Sequence, residues 1–302
     1  MAVTGAVEMG VVGGERYATP AAPGGVTQFW TEHEVTFTMS GEADNGLTFG
    51  AAVQLDEWAA STGTDDNGAN VFIAYGPARL TMGDTDGAFD AALTEVAVGG
   101  SIDDSHTWHA GYNGNGGLDA TYDNQVATFQ YTFDSFTGYL SAEVDDTGVG
   151  DPVWGLGVKY SGDLGGLTLG VGLGYQTTDT NGGAAGGARE IWGISLNTTL
   201  GNGLQAILNY SSQSRDAWAA DQTHTAIGLG YTMNALTVGL NYGVYDDQAG
   251  VSGDKDSGFG LAVNYDLGGG LAVQFGYGKS NMENAGVKTE ADSFSLGLAM
   301  SF

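Results

Sequence analysis

The chain has 302 residues, 36 of them acidic and 8 basic, for a net charge of −28, with 53 glycines, 4 prolines and no cysteine. So few Lys and Arg exclude nucleic acid as a partner, because affinity for phosphates rests on them; the missing cysteines exclude disulfides, thiolate metal sites and a cysteine nucleophile. No apolar run approaches eighteen residues, so no transmembrane helix is expected, and MAVTGAVEMG lacks the basic start and apolar core of a signal peptide.

Alternation begins at the first residues. Val3, Val7, Met9 and Val11 flank Thr4, Ala6, Glu8 and Gly10; Val35, Phe37 and Met39 then alternate with Glu34, Thr36 and Thr38. Leu47, Phe49, Ala51, Val53 and Leu55 form a third set, and shorter runs follow at 71–75 and 78–82. After an irregular stretch the pattern resumes near Ala127 and recurs as far as Phe294, Leu296, Leu298, Met300 and Phe302. Period two means strands with one apolar and one small or polar face. About sixteen such strands are expected, an even number, several of them near the nine to eleven residues that cross a membrane.

The connections alternate as well. Short ones fall at 40–45, 76–77, 133–135, 161–165, 201–203, 234–235 and 268–270. Long ones fall at 13–27, 57–68, 84–123, 145–152, 177–189, 212–223, 246–255 and 280–290. Short turns on one side and long loops on the other are the outer-membrane pattern, with the turns facing the periplasm. The apolar face carries Tyr, Trp and Phe near strand ends, as interfacial belts require. The opposite face, rich in Ser, Thr, Gly, Asn and Gln, suits a water-filled lumen. A soluble β-sandwich would instead expose a polar face of mixed charge. The expectation is one all-β domain over residues 1–302, a 16-stranded antiparallel transmembrane β-barrel.

Several segments resemble a known family. FTMSGEADNGLTFGA from Phe37 is similar to the second hairpin of the general porins of Rhodobacter-type alphaproteobacteria. YGPARLTMGD from Tyr75 is similar to the entry of their pore-constricting loop, and YDLGGGL from Tyr265 and the strand ending in Phe302 also have the family's form. The resemblance runs in strand order through the whole chain and is strongest in residues 35–90 and 258–302. It implies a homotrimeric outer-membrane channel, embedded in lipid and lipopolysaccharide, through which small hydrophilic solutes and ions diffuse passively. It also implies that the third extracellular loop, residues 84–123, folds inward and narrows the pore.

The family's basic pore positions fall here on Glu8, Glu32 and Glu34, and strand parity independently points those side chains inward. The loop adds Asp84, Asp86, Asp90, Glu95, Asp103 and Asp104. Acid on both walls creates a net negative potential that low-dielectric walls focus, so cation selectivity is expected. Arg79 and Lys159 are the basic side chains left inward. Arg79 has two readings, pairing with a loop carboxylate or snorkelling at the periplasmic end.

No cofactor is required, although acidic loops offer oxygen ligands for Ca²⁺, with Asp65, Asp66, Asp145, Asp146, Asp246 and Asp247 as candidates. His106 and His109 form H-x-x-H without a clear third zinc ligand. Neither a G-x-S-x-G elbow nor an H-E-x-x-H motif is present, so an enzyme is not expected. Two alternatives differ in specific ways. A sugar-specific channel needs an aromatic slide, yet inward aromatics are few (Phe72, Tyr139, Tyr245). A secreted calcium-binding adhesin needs a fixed nonapeptide repeat, which the hairpin pattern does not supply.

Overall fold

The computed structural model describes residues 1–58, 65–179 and 187–302. Sixteen strands close in chain order into an antiparallel barrel. The first five are β1 (Ala2–Gly13), β2 (Gln28–Glu42), β3 (Thr48–Trp58), β4 (Asp65–Tyr75) and β5 (Ala78–Gly83). After the long inner segment come β6 (Val126–Phe133), β7 (Phe136–Glu143), β8 (Val153–Asp163), β9 (Leu167–Thr178) and β10 (Arg189–Leu200). The wall continues through β11 (Leu204–Arg215), β12 (Gln222–Met233) and β13 (Leu236–Asp246) to β14 (Lys255–Gly268), β15 (Leu271–Asn284) and β16 (Val287–Ser301). β16 pairs with β1, and Gly5 and Phe302 exchange both backbone hydrogen bonds, at 3.3 and 2.9 Å. Closure removes every sheet edge, which a lipid-embedded sheet requires because no water is there to satisfy a free N–H or C=O.

The parity read from the sequence is the parity observed. Leu140, Trp154, Leu156, Leu173, Leu229 and Tyr242 stand exposed on the outside, while their strand neighbours Ser141, Gly155, Gly174, Gly228 and Asn241 turn inward. An apolar exterior over a polar interior inverts the arrangement of a water-soluble domain and suits a bilayer.

Two expectations are corrected. The connection placed at 280–290 is no long loop: β15 and β16 run on to a two-residue turn, Ala285-Gly286, with φ of 50° and 78°. Both central residues of a tight hairpin of this twist need positive φ, which glycine supplies at no steric cost. Cross-strand pairs Lys279–Glu290 (2.7 Å) and Lys288–Glu283 (3.3 Å) hold the extension together. Its outward face is charged, so the apolar alternation that marks the other strands is absent there.

The second correction concerns the lumen. Much of the polar inner face is covered, because residues between β5 and β6 run around it as an inner lining. The lining starts with a short helix, α1 (Ala88–Ala92), packed on β7, β8 and β9. It passes Ser195 and Asn264, which bond the backbone of Thr94 and Gly100, and reaches Gly10 and Gly297 at Ile102. It then returns, tied by Asn241 to the carbonyl of His106, by Ser280 to the N–H of Ala110 and by Gln176 to that of Leu118. Glu143 accepts the N–H groups of Thr121, Tyr122 and Asn124. The polar wall residues thus act as partners for a backbone with little secondary structure of its own to satisfy it.

Close approach needs missing side chains. A Cβ on Gly239 would sit 1.8 Å from the Val98 carbonyl oxygen, and one on Gly260 would sit 1.6 Å from that of His106. Gly138, on the lipid side of β7, has nothing within 4 Å of the same position. Gly239→Val is therefore expected to dislodge the lining, at a cost of about 1–3 kcal/mol for overpacking, whereas Gly138→Val leaves it in place. Hydrogen exchange of residues 94–102 measures this: protection falls in the first variant, is kept in the second, and both remain folded barrels.

Candidate functional site

With the lining on the far wall, the inner faces of β2 and β3 and parts of β1, β4 and β5 border the open lumen. Two spaces of about 200 and 220 Å³ lie there. The first is lined by Ala6, Glu8, Glu32, Glu34, Asp103 and Asp104; Thr36, Gln54, Asn70, Asp84 and Asp86 border the second.

Strand register assembles the acidic wall. Glu8 lies opposite Glu32 across β1 and β2, and Glu34 opposite Asp56 across β2 and β3. Like charges directly opposite on one face disfavour the sheet, so folding does not account for this row. Asp56 was not singled out from the sequence, although it shares inward parity with Gln54.

Glu8 has a second task. Its carboxylate accepts from the indole N–H of Trp30 at 3.1 Å and from the backbone N–H of Asp103 at 2.9 Å. It thereby clasps the lining to β1 just where Val12, Trp30 and Ile102 bury an apolar cluster. Asp103 also bonds to the Tyr17 hydroxyl and pairs with Arg16 at 3.1 Å, while Arg16 donates to the Asp103 carbonyl at 2.8 Å. Its side chain is only 4% exposed. Asp103 therefore belongs to a joint between the first loop and the lining, a joint that the sequence reading missed.

The remaining lining acids divide. Asp84 accepts from the Asn124 amide at 2.7 Å and anchors the start of the segment. Asp104 borders the first space and Asp86 the second. Asp90 is pushed up to about 7, first by burial and then by Asp86, Glu95 and Asp119, with Lys159 opposing. Glu95 receives the Tyr112 hydroxyl. The guanidinium of Arg79, near the short-turn end of β5, stacks 3.7 Å from the centroid of Phe72 and donates to Thr81 at 3.1 Å. Lys159 reaches the carbonyl of Ala91 at 3.5 Å.

The loop carboxylates considered for calcium are engaged locally. Asp145 accepts from the N–H groups of Thr147, Val149 and Gly150 and from the Thr147 hydroxyl, and the Gly150 and Thr147 donors hold it down to about 2. Asp246 pairs with Lys255 at 2.9 Å, and Asp247 accepts from Gly253 at 2.7 Å. Asp146 adjoins them in the Asp145 loop, and the side chains of Asp65 and Asp66 lie outside the described residues. Among the described residues no group of three His, Cys, Asp or Glu is placed to hold a metal. His106 and His109 face different partners, Ser101 and Asn241, each at 2.8 Å. Burial lowers the pKa of both rings, that of His109 to about 4. They fasten the returning arm of the lining to the wall.

The bed of the lining left a signal in the sequence. Gly-x-Gly recurs at 155–157, 172–174, 228–230, 258–260 and 276–278, with an apolar residue between. In a strand that spacing puts both glycines on the inner face.

A family model described as Gram-negative porin matches residues 1–285. A porin of Rhodobacter capsulatus is 30% identical over 167 residues, which is 50% of this chain and 50% of that one, so the match spans about half the length of this relative. A refined porin structure superimposes with a TM-score of 0.75 at 23% identity, covering 100% of this chain and 99% of the other. A triple mutant of Rhodopseudomonas blastica porin gives 0.66 at 22% identity over the same shares. The family is one of channels, in agreement with the expectation that the chain is not an enzyme. With its closed barrel of sixteen strands, the chain belongs to the Gram-negative porin family and is an outer-membrane β-barrel protein.

Proposed function

We propose that the barrel is a passive diffusion channel for small hydrophilic solutes and ions, selective for cations, with residues 84–123 as its constriction. The observation that carries this reading is the acid around the open lumen: Glu8, Glu32 and Glu34 on the wall share the first space with Asp104 of the lining, Asp86 borders the second, Asp56 lies opposite Glu34, and Asp90 lies near Asp86. At ~0.1 M salt the Debye length is about 10 Å, comparable with the width of such a gap, so screening leaves much of the potential in place. The sugar-specific alternative has little support. Phe72 is covered by Arg79, and Tyr245 packs 4.4 Å from His224, so no continuous aromatic track forms. Calcium has no part in the proposal, because the loop carboxylates described are engaged by their own loops or by Lys255.

The reading includes a homotrimer. β5 has 6 residues, and β6 and β7 have 8 each. At about 3.3 Å per residue and a tilt near 40°, six residues cover roughly 15 Å of a ~25 Å apolar band. Val71, Ile73, Met82 and Phe129 are nevertheless exposed on that side. A wall too low for lipid is suited to other copies of the chain, and Gly5 and Ala51 on nearby strands allow close packing.

The test is the zero-current potential of the purified protein in a planar bilayer under a KCl gradient. A cation-selective potential is expected, and Glu32→Gln with Glu34→Gln should lower the K⁺/Cl⁻ permeability ratio several-fold while conductance steps persist. Steps with an anion-selective or near-zero potential in the wild type would sink the selectivity argument.

A pH dependence follows from Asp90. With its pKa at about 7, it takes up a proton as pH falls from 8 to 6, where solvated carboxylates with values near 4 remain charged. Cation preference should therefore begin to fall already across pH 7, and Asp90→Asn should flatten that part of the curve. The sign for stability is opposite to that of a salt-bridged carboxylate. The native lining binds this proton more readily than the unfolded chain, so the contribution is fully present below the ordinary carboxylate range and is lost as pH rises from there through about 7.

A further inference from the structure

The chain has four histidines. His33 shares the outward parity of Val35 and Phe37 on β2. The other three meet at one place, the returning arm of the lining (residues 105–118), where it lies against β12, β13 and β14. His106 and His109 are on the arm and His224 is on β12 beneath it, and none is more than 7% exposed.

Hydrogen bonds hold these rings in the neutral form. Asn241 donates its amide to the His106 carbonyl at 3.3 Å, so its oxygen is the acceptor for His109 Nε2 at 2.8 Å. His224 Nε2 donates to the Gly111 carbonyl at 3.0 Å, since a carbonyl can only accept. His106 bonds the Gly99 backbone, and its Nδ1 meets the Ser101 hydroxyl at 2.8 Å.

A second proton has no place at two of the three. His109 Nδ1 is buried without a partner and faces Gly258, where an added Cβ would lie 2.7 Å from it. His224 Nδ1 faces the Asn113 amide nitrogen, a donor, at 3.4 Å, while the Asn113 oxygen is taken by the N–H of Asn115 at 2.9 Å. Either ring, once protonated, would bury a charge and an N–H with no acceptor. The surrounding groups offer little relief. Asp104 acts on His106, whereas His106 and His224 both act on His109, so charging one opposes charging the next. Tyr112, whose hydroxyl is given to Glu95, packs 6.1 Å from His109, and β15 supplies only the hydroxyl of Ser280, at Ala110. Tyr245 covers His224 at 4.4 Å, with Asp256 of β14 beyond it in the same row and Ser211 of β11 on the other side.

We propose that the returning arm is an acid-released gate: proton uptake by His109 and His224 frees it from β12, β13 and β14, and the cationic arm moves toward Glu8, Glu32 and Glu34 and narrows the passage. The narrowing rests on the channel reading; the release does not. A solvated imidazole titrates near 6.5, and burial holds that of the seated His109 down to about 4. The seated arm is therefore fully stable above the ordinary imidazole range and loses stability as pH falls from there toward 4.

Hydrogen exchange of the full-length protein in detergent micelles, corrected for the intrinsic effect of pH, reads the release directly. Between pH 7.5 and 4.5 the protection of residues 105–113 should fall at least roughly tenfold, while residues 88–98 and the strands keep theirs. His109→Gln/His224→Gln retains a donor for Asn241 and for Gly111, and its arm should stay protected at pH 4.5. In planar bilayers the wild-type conductance step should shrink by about half or more over the same interval, and that of the double variant should not. A wild-type arm still protected at pH 4.5 overturns the proposal, whether or not the variant folds. Equal loss of protection in the double variant overturns it too, by placing the titrating group among the carboxylates. Release with an unchanged step would sink the gate. A protein without conductance steps even at pH 7.5 would strike the channel reading instead, and the exchange result would still decide the release.

Discussion

The demand that backbone polar groups be satisfied inside a closed barrel organises this molecule. A segment of about forty residues between β5 and β6 has only one short helix and one 3-10 turn, Ile102–Asp104, to pair its own amides. It survives inside the wall because Ser141, Ser195, Asn209, Gln176, Asn241, Asn264 and Glu143 offer their side chains to its main chain. Each of those groups would be costly to bury alone, and each finds a partner in the segment it holds. Wall and lining therefore solve one another's hydrogen-bonding problem. The glycines beneath them let the two backbones approach closely enough for these bonds to form.

This arrangement decides where charge can stand. Acids in the contacts between the lining and its surroundings, Glu143 beneath it and Asp103 on it, are consumed as acceptors for backbone N–H groups or for Arg16 and Tyr17. Acids on β2 and β3, where no lining lies, turn their side chains to the lumen. The acidic residues of one chain thus divide into two populations by position alone, one structural and one facing the passage. A count of carboxylates would not distinguish them.

The barrel was legible because lipid contact imposes an apolar residue at every second position wherever a strand crosses the membrane. Where that pressure ends, so did legibility. The upper halves of β15 and β16 rise past the aromatic rings, carry charge outward, and read as loop. The inward parity of Glu8, Glu32 and Glu34 followed from the same alternation. Arg16, Tyr17 and Trp30 did not, since their roles depend on where a segment eighty residues later is laid. That path is written in the wall's Gly-x-Gly pairs, which are easily taken for loose turn-forming composition until their spacing is set against strand parity.

Glu8 has two sides to its position. The carboxylate that borders the open space also fastens the lining through Trp30 and the Asp103 amide. On the proposed reading, bore and ionic preference share this one residue. A lineage altering its permeant ions at this position would also reset how far the inner segment leans into the opening, so the two traits are inherited together. Glu32, directly opposite on the neighbouring strand, and Glu34, one row further along the same face, take no part in that clasp.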